Sequence, residues 1–284
     1  MRIIGIIGTG KMGAWIARFM EKEGYDVFVY DIDHLKKKKL ASESENIFEA
    51  SSLKDLTEKA EIIVLAVPIR AVPKVARELR DLVSKSHIVI DISSTKVKTL
   101  RALSKLPCRV LGVHPLFGPS ANDLKGKKVI LTPVDESGLE LAKKAERWLR
   151  KKGAFTTIMS AEKHDRIMEL ILALTHFIGL VTAITLSDYP LEELQCCAGP
   201  TFTALQALSV TVAMDSPEML ADIQTSLNSV SHIQKFLENA LRLAKLIENA
   251  DITSLELEIR KTARRVVEKI DQREQRKILY KIFK

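Results

Sequence analysis

The chain has 284 residues, 46% hydrophobic and 28% charged, a balance that supports packed domains and excludes a disordered or low-complexity protein. Its formal net charge of +8 suits anionic partners, but much of it lies in the lysines at 36–39 and in the last helical stretch, where acids are interleaved as on a solvated helix face, so no nucleic-acid surface is implied. Cys108, Cys196 and Cys197 form neither a disulfide framework nor a CxxC metal spacing, and residues 2–8 read as a strand rather than a secretory leader; the expectation is a metal-free protein of the reducing cytoplasm.

In the first half, short β-branched runs alternate with amphipathic stretches. Strands are predicted at 3–8, 27–31, 62–67, 88–91, 110–114 and 129–133, and helices at 12–23, 72–83, 96–103 and 139–151. Continuous apolar strands separated by helices imply a mostly parallel sheet covered on both faces, a doubly wound, Rossmann-like α/β fold.

Between the first strand and first helix lies Gly8-Thr9-Gly10-Lys11-Met12-Gly13. The first glycine permits a tight turn, the second lets a pyrophosphate approach the backbone, and the third lets helix pack on strand, while free helix N–H groups face the anion. Asp31, at the end of the second strand, stands at the offset of the carboxylate that accepts from an adenosine 2′-hydroxyl and repels a 2′-phosphate. NAD is therefore favoured over NADP. Ala66, Val67 and Pro68 end a later strand at the edge where nicotinamide and ribose lie in such folds.

Two further strands leave on that edge through DISSTK, with Ser93, Ser94 and Lys96, and through VHPLFGP, with His114 and Gly118. An imidazole with an ordinary pKa can take a proton from a hydroxyl near neutral pH, and Pro115 stiffens the chain presenting it. His114 is the candidate base.

Beyond residue 160 no strand is predicted, and 161–187, 192–214, 217–249 and 252–281 read as helices, with breaks near Pro190, Pro200, Pro217 and Asp251. The predicted domains are 1–158, binding dinucleotide, and 159–284, all helical. The uncharged stretches 170–187 and 194–214 approach the length of a bilayer span but carry His176 and several threonines; they are read as helices buried in an intertwined homodimer, not as membrane segments.

Taken in order, GTGKMG, Asp31, DISSTK, HPLFGP and KHDRIMELILALTHF resemble the prephenate/arogenate dehydrogenase family of tyrosine biosynthesis. The resemblance implies a Rossmann domain followed by a helical dimerisation domain, and oxidative decarboxylation of prephenate to 4-hydroxyphenylpyruvate and carbon dioxide with a nicotinamide cofactor. It assigns His114 as catalytic base and Ser94 as the serine that orients it or binds the same hydroxyl. It also implies His176 in the substrate pocket, with Ser93, Lys96, Gly118 and His164 as further substrate-binding candidates, His164 and Asp165 matching the HD pair. One departure stands out: where several members carry an arginine that pairs with a substrate carboxylate, this chain has Thr211, so Lys96, Arg166 or a partner-subunit residue must supply the charge, and arogenate stays open as substrate.

A β-hydroxyacid dehydrogenase would need a lysine in the first long helix of the second domain, and none lies between Arg166 and Ser187. An imine reductase has no need of His114. A nucleotide-sensing module without turnover is the non-enzyme alternative.

Overall fold

The computed structural model describes residues 2–283. The chain divides into two compact units: residues up to Met168 with Ala221–Leu227, and Glu169–Leu220 with the residues from Asn228 onward.

The first unit runs β1 (Ile3–Ile7), α1 (Lys11–Lys22), β2 (Asp26–Tyr30), α2 (His34–Ala41), β3 (Ile47–Glu49), α3 (Leu53–Lys59) and β4 (Ile62–Leu65). It continues through α4 (Val72–Leu79), β5 (Ile88–Asp91), α5 (Val97–Leu103), β6 (Arg109–Pro115), β7 (Lys128–Pro133), α6 (Glu136–Lys151), β8 (Phe155–Ile158) and α7 (Ala161–Met168). The eight strands form one sheet in the order β3-β2-β1-β4-β5-β6-β7-β8. The first six are parallel, and β7 pairs antiparallel with β6 and parallel with β8, so β1 to β6 all deliver their carboxyl ends to one edge. This is the mostly parallel, doubly wound sheet implied by the alternating pattern.

Apolar side chains cover both sheet faces. Leu65, Leu79 and Leu103 join one buried cluster, and Ile6, Ala17 and Val29 another. Successive side chains along β6 point to opposite faces, and because both faces are covered Val110, Leu111 and Gly112 are buried in succession. Val110 packs with Leu100 and Leu103 of α5, whereas Leu111 and Val113 join Trp15, Phe117 and Ala142. His114 therefore falls on the α5 face.

Two strands and two helices exceed the sequence expectation. In β3 only Ile47 is buried, and β8 leaves Phe155 and Thr157 exposed, so neither shows a long apolar run. The lysine-rich α2 lacks an amphipathic pattern, yet Asp33 caps it by accepting from Leu35 N and Lys36 N, and Lys37 turns inward to donate to the Ala50 carbonyl at 3.0 Å. α3 is capped by Ser52, which accepts from Asp55 N.

A π-helical turn at Glu169–Leu174 follows α7. Beyond it come α8 (Thr175–Ser187), α9 (Leu191–Cys196), α10 (Pro200–Ala213), α11 (Pro217–Ser226), α12 (Val230–Glu248), α13 (Ile252–Val267) and α14 (Gln272–Phe283). The predicted run 217–249 breaks at 227–229, and 252–281 breaks at 268–271, where Asp271 accepts from Arg273 N and Glu274 N and restarts a helix. Within the second unit α8 packs closely on α10, because a Cβ at Gly179 would stand 2.8 Å from Val212 Cγ2. Much apolar surface stays uncovered there: Leu170, Ile171, Ile184, Val210 and Met214 are exposed.

Candidate active site

The turn from β1 into α1 is shaped for an anion. Gly8 has φ +97°, a conformation other residues rarely adopt, and a Cβ there would stand 2.5 Å from the Ala66 carbonyl oxygen. A Cβ on Gly13 would collide with the Gly8 carbonyl, whereas one on Gly10 would meet nothing within 4 Å. Gly10 is the N-cap of α1 and offers no side-chain cap, so N–H groups of the first turn remain open to a ligand. Lys11 and Met12 open the helix, one exposed and the other half-buried. Asp31 is fastened to this loop: its Oδ2 accepts from Thr9 N at 2.6 Å and Thr9 Oγ1 at 2.9 Å, and its Oδ1 from Asp33 N at 2.8 Å. Ala66, Val67 and Pro68 leave β4 beside Gly8. Open space at the middle glycine, unspent helix N–H groups and a fixed carboxylate together fit a dinucleotide.

At the end of β6 a buried polar network replaces the apolar core. His114 is 5% exposed, and its Nδ1 lies 2.8 Å from Nε2 of His164 on α7. The other nitrogen of His164 lies 2.7 Å from Asp165 Oδ1. Asp165 in turn accepts from the backbone N–H groups of Lys96 at 2.8 Å and Val97 at 2.9 Å, satisfying the first turn of α5 and placing a carboxylate on its positive end. Beside this chain, the fully buried Lys96 ammonium donates to Asp91 Oδ2 at 2.7 Å, the Asp91 carbonyl at 2.8 Å and the Val113 carbonyl at 3.0 Å. Gly112 is closely surrounded: a Cβ there would collide with Thr132 Oγ1 and stand 3.0 Å from Leu100 Cδ1 and 3.1 Å from Lys96 Cδ.

Burial first, and then the like charge of Lys96 and the His164 ring, hold His114 well below the usual imidazole range. Lys96 itself is pushed down by burial, opposed by Asp91 and Asp165. Burial of the ring and the ammonium beside it both favour a neutral His114 at neutral pH. Among the described residues its Nε2 has no hydrogen-bond partner, so one nitrogen stays open.

Three sequence-based assignments change. Lys96 cannot reach a substrate carboxylate, because its three protons are spent on internal acceptors. Ser93 is also turned inward, donating to Asp91 Oδ2 at 2.7 Å with the Thr95 carbonyl at 2.8 Å. His164 is 0% exposed and stands behind His114 instead of lining a pocket. Ser94 is half-buried after β5; with His114 Nδ1 engaged by His164, only Nε2 is left for a bond from that serine. Gly118 is exposed beyond β6.

In the second unit His176 lies on α8, half-buried, with its Nδ1 buried and unpartnered among the described residues; burial lowers its pKa against the opposing pull of Asp215. Thr211 is exposed on α10. The sequence reading missed Asp91 and Thr99, and their signal was slight: a strand-end acid and a helical threonine, both common in structural roles. Thr99 Oγ1 lies 3.0 Å from Asp91 Oδ2.

Comparison with known proteins agrees with this architecture. Residues 16–158 match the family model "Prephenate dehydrogenase, nucleotide-binding domain", and residues 160–261 match "Prephenate dehydrogenase, dimerization domain". A probable arogenate/prephenate dehydrogenase of Methanocaldococcus jannaschii is 30% identical over 88% of this chain and 57% of its own length. The T-protein of Enterobacter agglomerans is 24% identical over 88% of this chain and 63% of its own, so the chain spans about three-fifths of these curated relatives. The crystal structure of prephenate dehydrogenase from A. aeolicus, in complex with hydroxyphenyl propionate and NAD+, superposes with a TM-score of 0.74 at 25% identity, covering 94% of this chain and 98% of that one. The first domain is thus a nucleotide-binding domain that fits NAD. From the two family models, matched in order over most of its length, the chain belongs to the prephenate dehydrogenase family.

Proposed function

We propose that this protein is a prephenate dehydrogenase, with residues 1–158 binding NAD and residues 159–284 contributing to substrate binding and dimerisation. The observation that carries the proposal is His114, buried and fixed at the carboxyl edge of the sheet with Nδ1 engaged and Nε2 open, its pKa held below the usual imidazole range by burial and by Lys96. Gly8, Thr9, Gly10, Lys11, Met12 and Gly13 would hold the pyrophosphate, Asp31 the adenosine ribose, and Ala66, Val67 and Pro68 the nicotinamide end. Bound NAD supplies the hydride acceptor. His114 Nε2 takes the proton of the ring hydroxyl as the carbon–hydrogen bond at the same carbon gives up hydride. Loss of the ring carboxylate as carbon dioxide sends its electron pair through the ring to that oxygen, and the phenolate takes the proton back from His114 to leave the aromatic phenol. Ser94 would contact the hydroxyl with Gly118 nearby on the same unit, and His176 is the substrate-binding candidate of the second unit.

With Lys96 committed internally and Thr211 neutral, Arg166, exposed on α7, is the candidate cation for a substrate carboxylate. An arogenate substrate, which carries an added ammonium, would need less of it. Helix Ala161–Ser187 is long and apolar enough to cross a membrane, with mean hydropathy 2.1 and only 17% of that window buried. Its place in the matched dimerization domain supports a homodimer that covers this surface instead. The free thiols Cys108, Cys196 and Cys197 suit a reducing cytoplasm.

The test follows reduced nicotinamide by absorbance, offering prephenate and arogenate, each with NAD and with NADP. Turnover is expected with prephenate and NAD, and His114→Asn should lower kcat about 10²- to 10⁴-fold while leaving the NAD dissociation constant nearly unchanged. An unaltered kcat would remove His114 from its role. A strong preference for arogenate would reassign the substrate but leave the fold and the base intact.

A further inference from the structure

Three side chains in line, His114, His164 and Asp165, leave few ways to place their protons. Asp165, held by two backbone N–H donors at the start of α5, presents a carboxylate oxygen at 2.7 Å to His164 Nδ1, which must therefore carry a proton. His164 Nε2 is then either bare, accepting from His114 Nδ1–H, or protonated, donating to a bare His114 Nδ1. The second arrangement puts a proton on His114 Nε2 and leaves it no lone pair for a substrate. It also requires an imidazolium in a fully buried site that already holds the Lys96 ammonium. The charged groups around the pair are Lys96 before α5, Asp91 at the end of β5 and Asp165 on α7; across the β6–β7 ladder His114 faces apolar Ile130.

We propose that His164 and Asp165 are positioning residues that lock His114 in the Nδ1–H tautomer, keeping Nε2 as the proton acceptor. The proposal rests on the assignment of His114 as the base. Asp165 fixes the proton of His164, His164 fixes that of His114, and the helix α5 N-terminus fixes Asp165. When His114 becomes an imidazolium during turnover, its Nδ1–H already points at an acceptor backed by a carboxylate, so the new charge is stabilised without rearrangement. The depressed pKa of His114 agrees with a ring that rests neutral.

The experiment uses protein labelled with nitrogen-15 in its histidines, together with His164→Leu and His164→Gln. Wild type should show His114 protonated at Nδ1 and bare at Nε2. Leucine, which offers no acceptor, should move the proton to Nε2 and lower kcat at least about 10-fold, with KM for substrate and cofactor kept within about 2-fold and the pH profile shifted. Glutamine, whose Oε1 can accept from Nδ1–H, should restore the tautomer and most of kcat.

A wild-type His114 protonated at Nε2 overturns the proposal, as does a leucine variant with unchanged tautomer and kcat. Equal loss in both variants with the tautomer unmoved also overturns it, because that outcome marks a purely structural role. If the leucine variant does not fold, the wild-type spectrum and the glutamine variant decide. A correct tautomer in a wild type that fails to oxidise prephenate refutes the substrate assignment and spares the lock.

Discussion

The glycine loop makes a prediction in which stability and cofactor binding part company. Gly10 and Gly13 stand three residues apart in one turn, and only their surroundings differ. A Cβ on Gly13 would lie more than an ångström inside the 3.0 Å limit of closest approach to the Gly8 carbonyl oxygen, and also 3.0 Å from its carbon and 3.2 Å from Ala66 Cβ. The obstruction is backbone, so α1 must lift from β1, an overpacking that costs about 3 kcal/mol. Gly10 has φ −62° and ψ −177°, which alanine adopts without strain, and its Cβ would project into open space. Gly10→Ala should therefore cost under about 1 kcal/mol, from exchanging a good N-cap for a poor one. The open space is where a pyrophosphate would approach, so the same methyl should weaken NAD binding at least about 10-fold, or 1.4 kcal/mol. Urea unfolding without ligand, paired with titration calorimetry using NAD, separates the two effects. Gly10→Ala binding NAD like wild type would refute the role given to the loop, and Gly13→Ala unfolding like wild type would refute the packing argument.

Lys96→Met should destabilise the protein by about 3–5 kcal/mol in urea, because it strands the buried Asp91 carboxylate; Lys96→Met with Asp91→Asn should recover a large part, and a single variant within about 1 kcal/mol of wild type would contradict a paired buried charge. The depressed pKa of His114 also makes stability depend on pH. Below the ordinary value of 6.5 the unfolded chain takes up a proton that folded His114 refuses, so its contribution is full above 6.5 and is lost as pH falls toward the folded value. His176 acts in the same direction. Unfolding free energy measured from about pH 7.5 to 5.5 should fall on the acid side by up to about 1.4 kcal/mol per pH unit for His114, and His114→Asn should flatten that slope; an unchanged slope would show that the ring protonates freely in the fold.

What could be read from the sequence was whatever chain direction dictates. Once the strands are parallel, residues just after β1, β2, β4, β5 and β6 must share an edge, so the glycine loop, Asp31, Ala66 to Pro68, Ser94 and His114 could be grouped without knowing a single contact. What could not be read was which way a side chain on that edge turns. Lys96 sits in a turn rich in hydroxyls, where solvent is the natural destination for an ammonium, and complete burial of lysine is rare. His164 was singled out but its role stayed open, since its partner His114 is 50 residues away and on a different kind of element. α2 was missed for the opposite reason: four lysines hide the one that is buried.

The position of Lys96 becomes intelligible from the sheet. β5 pairs with β6 only as far as Asp91 opposite Gly112, while β6 continues to Pro115. Past Gly112 the β5 side of β6 has lost its strand, and the Val113 carbonyl, one residue before the candidate base, would go without a ladder partner. Lys96 Nζ takes that place at 3.0 Å, and its two other bonds tie it to the last residue of β5. On the other edge β7 pairs with His114 and Pro115 directly. The backbone carrying His114 is thus held from both sides at the point where the parallel sheet runs out. A neutral donor could have closed the same gap, but an ammonium also opposes protonation of the neighbouring imidazole and so raises the proton affinity that His164 and Asp165 must supply through His114 Nδ1. A single buried charge therefore serves both the rigidity of the strand end and the resting state of the base, and the cost of burying it is offset only while Asp91 remains ionised beside it.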